Sequence, residues 1–156
     1  MRETRENTDR LPFQEPELIQ PGAGLALEGM NVLIADSDQF VGNLISKLLT
    51  QRLGAVTTVV DSGRKAIAEI LTGGYDAAVI ELILPRTSGI EAIRAIKEMM
   101  PDFPILAMSG ELTRGREESV RACGVDCLFH KPVRISMLLD ELKNIVKTGR
   151  EKPFVE

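Results

Sequence analysis

Asp36, Ser37 and Asp38 stand together in LIADSD, Glu81 closes the run AAVIE, Ser109 and Gly110 follow ILAM, and Lys131 precedes Pro132 in LFHKP. Each of these polar groups comes directly after a short apolar run. Carboxylates, a hydroxyl and an ammonium brought to one place suit phosphoryl transfer or the binding of a divalent cation. Glu81 is the least ordinary member. Ala77, Ala78, Val79 and Ile80 run straight into it, and Leu82, Ile83 and Leu84 follow before Pro85. A carboxylate rarely interrupts such a segment without a role.

These residues act together only if the elements that carry them are neighbours. NVLIA, AVTTVV, YDAAVIE, FPILAMS and VDCLFH are short β-rich apolar runs. Between them lie segments with apolar residues at helical spacing. Val41, Leu44, Ile45, Leu48 and Leu49 mark the first, which Gly54 stops; Ile67, Ile70 and Leu71 mark the second, with Ser62 as N-cap and Gly73 and Gly74 at its end. Ser88 and Glu91 form a capping box that opens a third through Ile90, Ile93, Ile96 and Met99. A charged helix is expected from Arg114 to Ala122, closed by Gly124, and a last one through Ile135, Leu138, Leu139, Leu142, Ile145 and Val146. Five alternations of strand and helix imply an α/β fold, a doubly wound five-stranded parallel sheet with helices on both faces. The strands are apolar on both sides, as a doubly covered sheet requires. Ligands of such sheets bind beyond the carboxyl ends of the strands, where all the polar groups above fall.

Composition narrows the field of functions. The net charge of −4 is concentrated at the start, where residues 1–28 hold six acids against three arginines. The remainder has no basic stripe and few aromatics, which argues against nucleic acid as a partner. The longest apolar windows run to about eight residues, against roughly 20 for a membrane span. MRETRENTDR lacks the apolar core of a signal peptide, so no membrane partner and a cytoplasmic setting are expected. Cys123 and Cys127 with the single His130 do not make a zinc ligand set, and two small buried thiols are the plainer expectation. Residues 1–28 are polar and proline-bearing and are expected to form a disordered or loosely docked tail, in which LPFQEPELI is a candidate docking segment. The folded unit is expected over 29–148, and TGREKPFVE is too short to fold, giving a C-terminal tail from 149 to 156.

NVLIADSD, VIELILPRTSG, ILAMSGE and LFHKP, in this order and at these spacings, resemble the motifs of a response-regulator receiver domain over about Asn31 to Lys147. The resemblance implies the flavodoxin-like strand order 2-1-3-4-5 and a signalling module, not an enzyme. In active receivers an acidic pair after strand one helps hold Mg²⁺, and an aspartate ending strand three accepts a phosphoryl group from a histidine kinase. A Ser or Thr after strand four and a lysine after strand five engage its oxygens. By position, Asp36 matches the first acid, Ser109 the hydroxyl and Lys131 the lysine, while Pro132 matches a proline that usually follows a cis peptide.

Three positions depart from the pattern. Glu81 occupies the phosphoacceptor position, Ser37 replaces the second acid, and Leu128 stands where a switching Tyr or Phe is usual. Losing one carboxylate weakens a site for a hard cation, so Asp36 and Glu81 remain only a poor pair of metal ligands and no cofactor is required. Asp38 is expected to cap the first helix instead. The extra methylene of Glu81 extends its carboxylate by about 1.5 Å and directs it toward Lys131. That pair is expected to be partly exposed and of modest value. The resulting expectation is a pseudo-receiver of a two-component system, not phosphorylated at the usual site. It would bind a protein partner (a histidine kinase, an output protein or a second copy of itself, as a homodimer) through Arg114–Arg121, Leu128, His130 and the last helix. The alternative is a phosphorylatable receiver with weakened Mg²⁺ binding and an atypical acceptor, such as Asp36, Asp38 or Glu81. A flavin or nucleotide binder is disfavoured, because the acids of DSD would repel phosphate.

Overall fold

The computed structural model describes residues 24–151, with side chains up to residue 147. Strand and helix alternate from end to end: β1 (Asn31–Ala35), α1 (Gln39–Leu53), β2 (Val56–Val60), α2 (Gly63–Thr72), β3 (Ala77–Glu81), α3 (Gly89–Met99), β4 (Ile105–Ser109), α4 (Arg114–Ala122), β5 (Cys127–His130) and α5 (Ile135–Glu151). The five strands form one parallel sheet in the order β2-β1-β3-β4-β5. The strand count, direction and order agree with the expectation.

Alternation along each strand divides the core into two layers. Val32, Ile34 and Val79 face Ile45 and Leu49 of α1 and Leu138 and Leu142 of α5. Leu33, Ala35, Ile80 and Ala107 face Ala66, Ile70, Ile93, Ile96 and Val120 of α2, α3 and α4. β3 and β4 sit centrally and are buried at every residue. That burial includes Glu81.

Short side chains set the helix starts. Asp38 accepts from the backbone N–H groups of Phe40 and Val41, Ser62 from Lys65, and Thr113 from Arg116. Ser88 and Glu91 form the capping box, each side chain meeting the other's backbone N–H. Ser88→Ala is expected to lower stability by about 1 kcal/mol, the usual worth of such a cap, measured as the shift in a urea midpoint. Next to that cap, Gly89 passes so close to β3 that a Cβ there would overlap the Glu81 carbonyl oxygen. The start of α3 thus braces the end of the strand that carries Glu81.

Residues 24–28, assigned to the tail by their composition, include a turn that closes one end of the core. Leu27 is 1% exposed and its N–H bonds the Leu53 carbonyl at 2.8 Å. At the other end α5 continues to Glu151, past the expected boundary at 148. Helical hydrogen bonding adds one bond per residue once started, so the helix outruns its apolar face. The remaining tail residues, 1–23 and 152–156, lie outside the described part. Cys123 and Cys127 are both free thiols, but half-buried and not buried as expected, because they flank the edge of the sheet at the start of β5. Among the described residues no helix is long and apolar enough to cross a membrane.

Candidate functional site

Asp36 follows β1, Glu81 ends β3, Ser109 ends β4 and Lys131 follows β5, so all four stand on the carboxyl rim of the sheet. Asp36, Glu81 and Ser109 are buried. Lys131 comes in from the edge strand with its side chain 23% exposed. Its ammonium donates to Asp36 Oδ2 at 2.8 Å, joining residues 95 positions apart. It also makes an ion pair with Glu81 Oε2 at 2.5 Å. That second contact is an ion pair, and Oε2 has no hydrogen-bond partner among the described residues. The Glu81–Lys131 contact follows the expected direction of the longer side chain. The pair is partly exposed, as expected, but only on its cationic side: the Lys131 side chain is 23% exposed and the Glu81 side chain 7%, because Glu81 ends a central strand and Lys131 follows the edge strand.

One ammonium thus serves two buried carboxylates. Burial is the main influence on Glu81 and pushes its pKa above the ordinary 4.5; Lys131 opposes this and Asp36 reinforces it. Burial works to lower the Lys131 ammonium as well, but the contacts with Asp36 and Glu81 outweigh it, so its pKa is raised above 10.5. The two directions look contradictory for one pair and are not. Lys131 gains from two anions, whereas Glu81 shares one cation and faces a second anion.

The other expected members of the site go elsewhere. Asp36 Oδ1 accepts from the Asp38 N–H at 2.9 Å, and Asp38 caps α1, as expected. Ser37 is exposed and lines a surface cleft with Asp61, Ser62, Lys65, Pro85 and Arg86. The Ser109 hydroxyl accepts from the Glu111 N–H at 3.2 Å and donates to its carbonyl at 3.3 Å, closing a local turn. Glu111 had no place in the sequence-based site. The signal for it is local, a Ser two residues before a backbone N–H in a turn. Leu128 is half-buried against the layer under α2, α3 and α4, while His130 is exposed. The peptide bond before Pro132 is cis.

These donors do not fit Mg²⁺. A hard cation in octahedral geometry needs several fixed oxygens, and here the two available carboxylates already face an ammonium. Among the described residues no group of three or more His, Cys, Asp or Glu side chains could hold a metal ion. The α4 face is charged, with ion pairs Arg114–Glu118 and Arg121–Glu117 one turn apart, and only Val120 of that helix is buried.

Comparison with known proteins bears on the same residues. Residues 32–143 match the model of the family described as the response regulator receiver domain. The chain is 30% identical over 122 residues to Two-component response regulator 24 of Arabidopsis thaliana, covering 78% of this chain and 87% of that one. It is 25% identical over 120 residues to the transcriptional regulatory protein CusR of Escherichia coli, but spans only 52% of it. The match to Probable histidine kinase 5 of rice spans 13% of that protein. Among solved structures, a CheY-like receiver domain protein from Methanospirillum hungatei superposes with a TM-score of 0.76 at 18% identity, over 80% of this chain and 98% of that one. The receiver domain of a Francisella response regulator gives 0.71 at 25% identity, over 76% and 98%.

Proposed function

This chain belongs to the response regulator receiver domain family of two-component signalling, and from that premise we propose that it is a pseudo-receiver: a module that is not phosphorylated at the acceptor position and signals by binding a protein. The observation that carries this reading is the occupied lysine. Lys131 holds Glu81 and Asp36 at once, so the cation that would meet phosphoryl oxygens is already neutralising protein carboxylates. Glu81 supplies about one negative charge there, against −1.5 to −2 for a phosphoryl group. The site therefore holds a fixed, weaker imitation of the modified state, one that neither needs a donor nor reverses by hydrolysis.

Two further features support the reading. Ser109 is bonded to its own turn and is not directed at Lys131. Leu128 puts no ring at the position where a switching Tyr or Phe is usual. The surface proposed for the partner is α4, β5 and α5, including Arg114–Arg121 and His130. The partner is a kinase, an output protein or a second copy of this chain, in a cytoplasmic setting. Intact-mass spectrometry of the wild-type chain after incubation with acetyl phosphate and Mg²⁺ tests the proposal. Unchanged mass is expected. A stoichiometric phosphoryl adduct would overturn it, and fragment mapping would then say whether Asp36, Asp38 or Glu81 is an atypical acceptor.

A further inference from the structure

A sheet edge presents unpaired N–H and C=O groups, and proteins guard it with short strands, charge or proline. The β5 edge of this sheet has such guards: it is four residues long, ends in His130 and runs into Lys131 and Pro132. The other edge, β2, has none. It reads VTTVV, five β-branched residues, and no residue from Leu53 to Val60 is charged. Val56 is 57% exposed.

The bonds to β1 fix which groups of β2 lie on the open side. The Val56 N–H donates to the Met30 carbonyl at 2.8 Å, and the Val60 carbonyl accepts from the Asp36 N–H at 3.1 Å. Backbone groups alternate sides along a strand, so Val56, Thr58 and Val60 address β1, while the N–H and C=O of Thr57 and Val59 point outward. Among the described residues no strand pairs with that side. Outward residues on either side of an inward one give the parity that a strand needs to pair with its own copy. In an antiparallel pair about a two-fold axis at Thr58, Thr57 exchanges both hydrogen bonds with Val59 of the second copy, and Val59 with its Thr57. Thr58 then faces Thr58, and Val56 meets Val60 at the close, non-hydrogen-bonded spacing, where β-branched pairs are stabilising. This register covers Val56.

The flank of the edge suits a like neighbour. Ile45 and Leu49 seat α1 on Val32 and Ile34 of β1, and Ser46 reaches β2 through a side-chain hydrogen bond with Thr57 at 2.5 Å. Beyond Ser46 on that flank, before the helix turns round to Lys47, come Gln39, Asn43 and Thr50, all exposed and uncharged. A two-fold axis sets each flank beside its copy, where like charges would repel.

We propose that two copies of this chain join β2 to β2, antiparallel about Thr58, into one continuous sheet. The contact uses no group of the Lys131 cluster. Because β5 is the opposite edge, the surface of α4, β5 and α5 stays open at both ends of the dimer. A partner with two matching sites is then held by both copies, which raises avidity without a new contact.

The test uses the full-length chain. Sedimentation velocity of the wild type is expected to show a concentration-dependent species of twice 17.1 kDa. Thr57→Pro removes an N–H that faces outward and spares the bonds to β1, a change that an edge strand tolerates. It should weaken the dimer several-fold while the urea midpoint of the monomer stays near the wild-type value. Thr58→Cys is expected to give a disulfide-linked dimer on mild oxidation, since Cα atoms of a non-hydrogen-bonded pair lie about 4.5 Å apart, within disulfide reach. Thr57→Cys should link far more slowly, because its copy lies on the diagonal, about 7–8 Å away. Peptide mapping separates these links from any through Cys123 or Cys127. A wild type that stays monomeric overturns the proposal. So does a dimer indifferent to Thr57→Pro, or linkage through position 57 as fast as through position 58.

Discussion

A chain carrying Ser37→Asp and Glu81→Asp together is expected to take up one phosphoryl group from acetyl phosphate in the presence of Mg²⁺, where the wild type takes up none. Two separate deficits are repaired. Shortening Glu81 by one methylene withdraws its carboxylate by about 1.5 Å, away from the Lys131 ammonium that now holds it. Lys131 is then released to meet an incoming anion. In-line transfer is sensitive to position, and a misplacement near 1 Å can cost on the order of 100-fold. The aspartate at 37, at the mouth of the site beside Asp36, returns the second acid and with it the negative charge that a hard cation needs.

Neither change suffices alone. Glu81→Asp by itself restores the acceptor without the metal site, and Ser37→Asp by itself leaves the acceptor pinned to lysine. Phosphoryl uptake by the double variant, with the single variants and the wild type at their unmodified mass, read by intact mass over time, is the expected outcome. A well-folded double variant that stays at its unmodified mass would show that the defect lies deeper, with the Ser109 hydroxyl held by the Glu111 backbone as the next suspect.

How far the sequence foretells this arrangement depends on the range of the interaction. The strands are legible because NVLIA and AAVIE lie in a doubly covered sheet and carry apolar residues on both faces. The caps Asp38, Ser62 and Ser88 are legible because each acts within three residues of itself. The strand order rests on the resemblance of four motifs, since alternation alone permits other parallel orders. What pattern does not show is depth. Glu81 is as buried as the valine two residues before it would suggest, yet a carboxylate at a strand end invites the assumption of a solvated rim. The sharing of Lys131 between two acids joins residues from opposite parts of the chain, and no local signal announces it. Leu27 escapes notice for the converse reason. It is an apolar residue in a glycine-rich, aperiodic stretch, and its burial is decided by α1's far end.

Replacing Lys131 by Ala is expected to lower stability at neutral pH by about 3 kcal/mol, because it leaves two buried carboxylates without their cation. The sign of the accompanying pH dependence follows from Glu81. Its pKa is raised above 4.5 in the folded chain, so between the two values the folded state keeps a proton that the unfolded state has lost. Stability tied to this group is therefore greatest at and below pH 4.5 and falls as pH rises through the folded value. Removing Lys131 removes the main influence that lowers that value, so the window widens upward. The Lys131→Ala chain should accordingly regain stability, relative to wild type, as the pH is lowered from neutral into the mildly acidic range. The lysine's own contribution runs the opposite way: with its pKa raised above 10.5, it is fully present below that pH and lost above the folded value. Glu81→Gln separates these effects. In the Lys131→Ala background it removes one of the two charges left without a partner, so it should restore part of the lost stability at neutral pH and reduce the recovery on acidification. Urea titrations of the four chains of this cycle, at neutral and mildly acidic pH, read each quantity directly. If Glu81→Gln instead deepens the loss caused by Lys131→Ala, the carboxylate is supported by something other than the lysine, and the occupied-lysine account of this site fails with it.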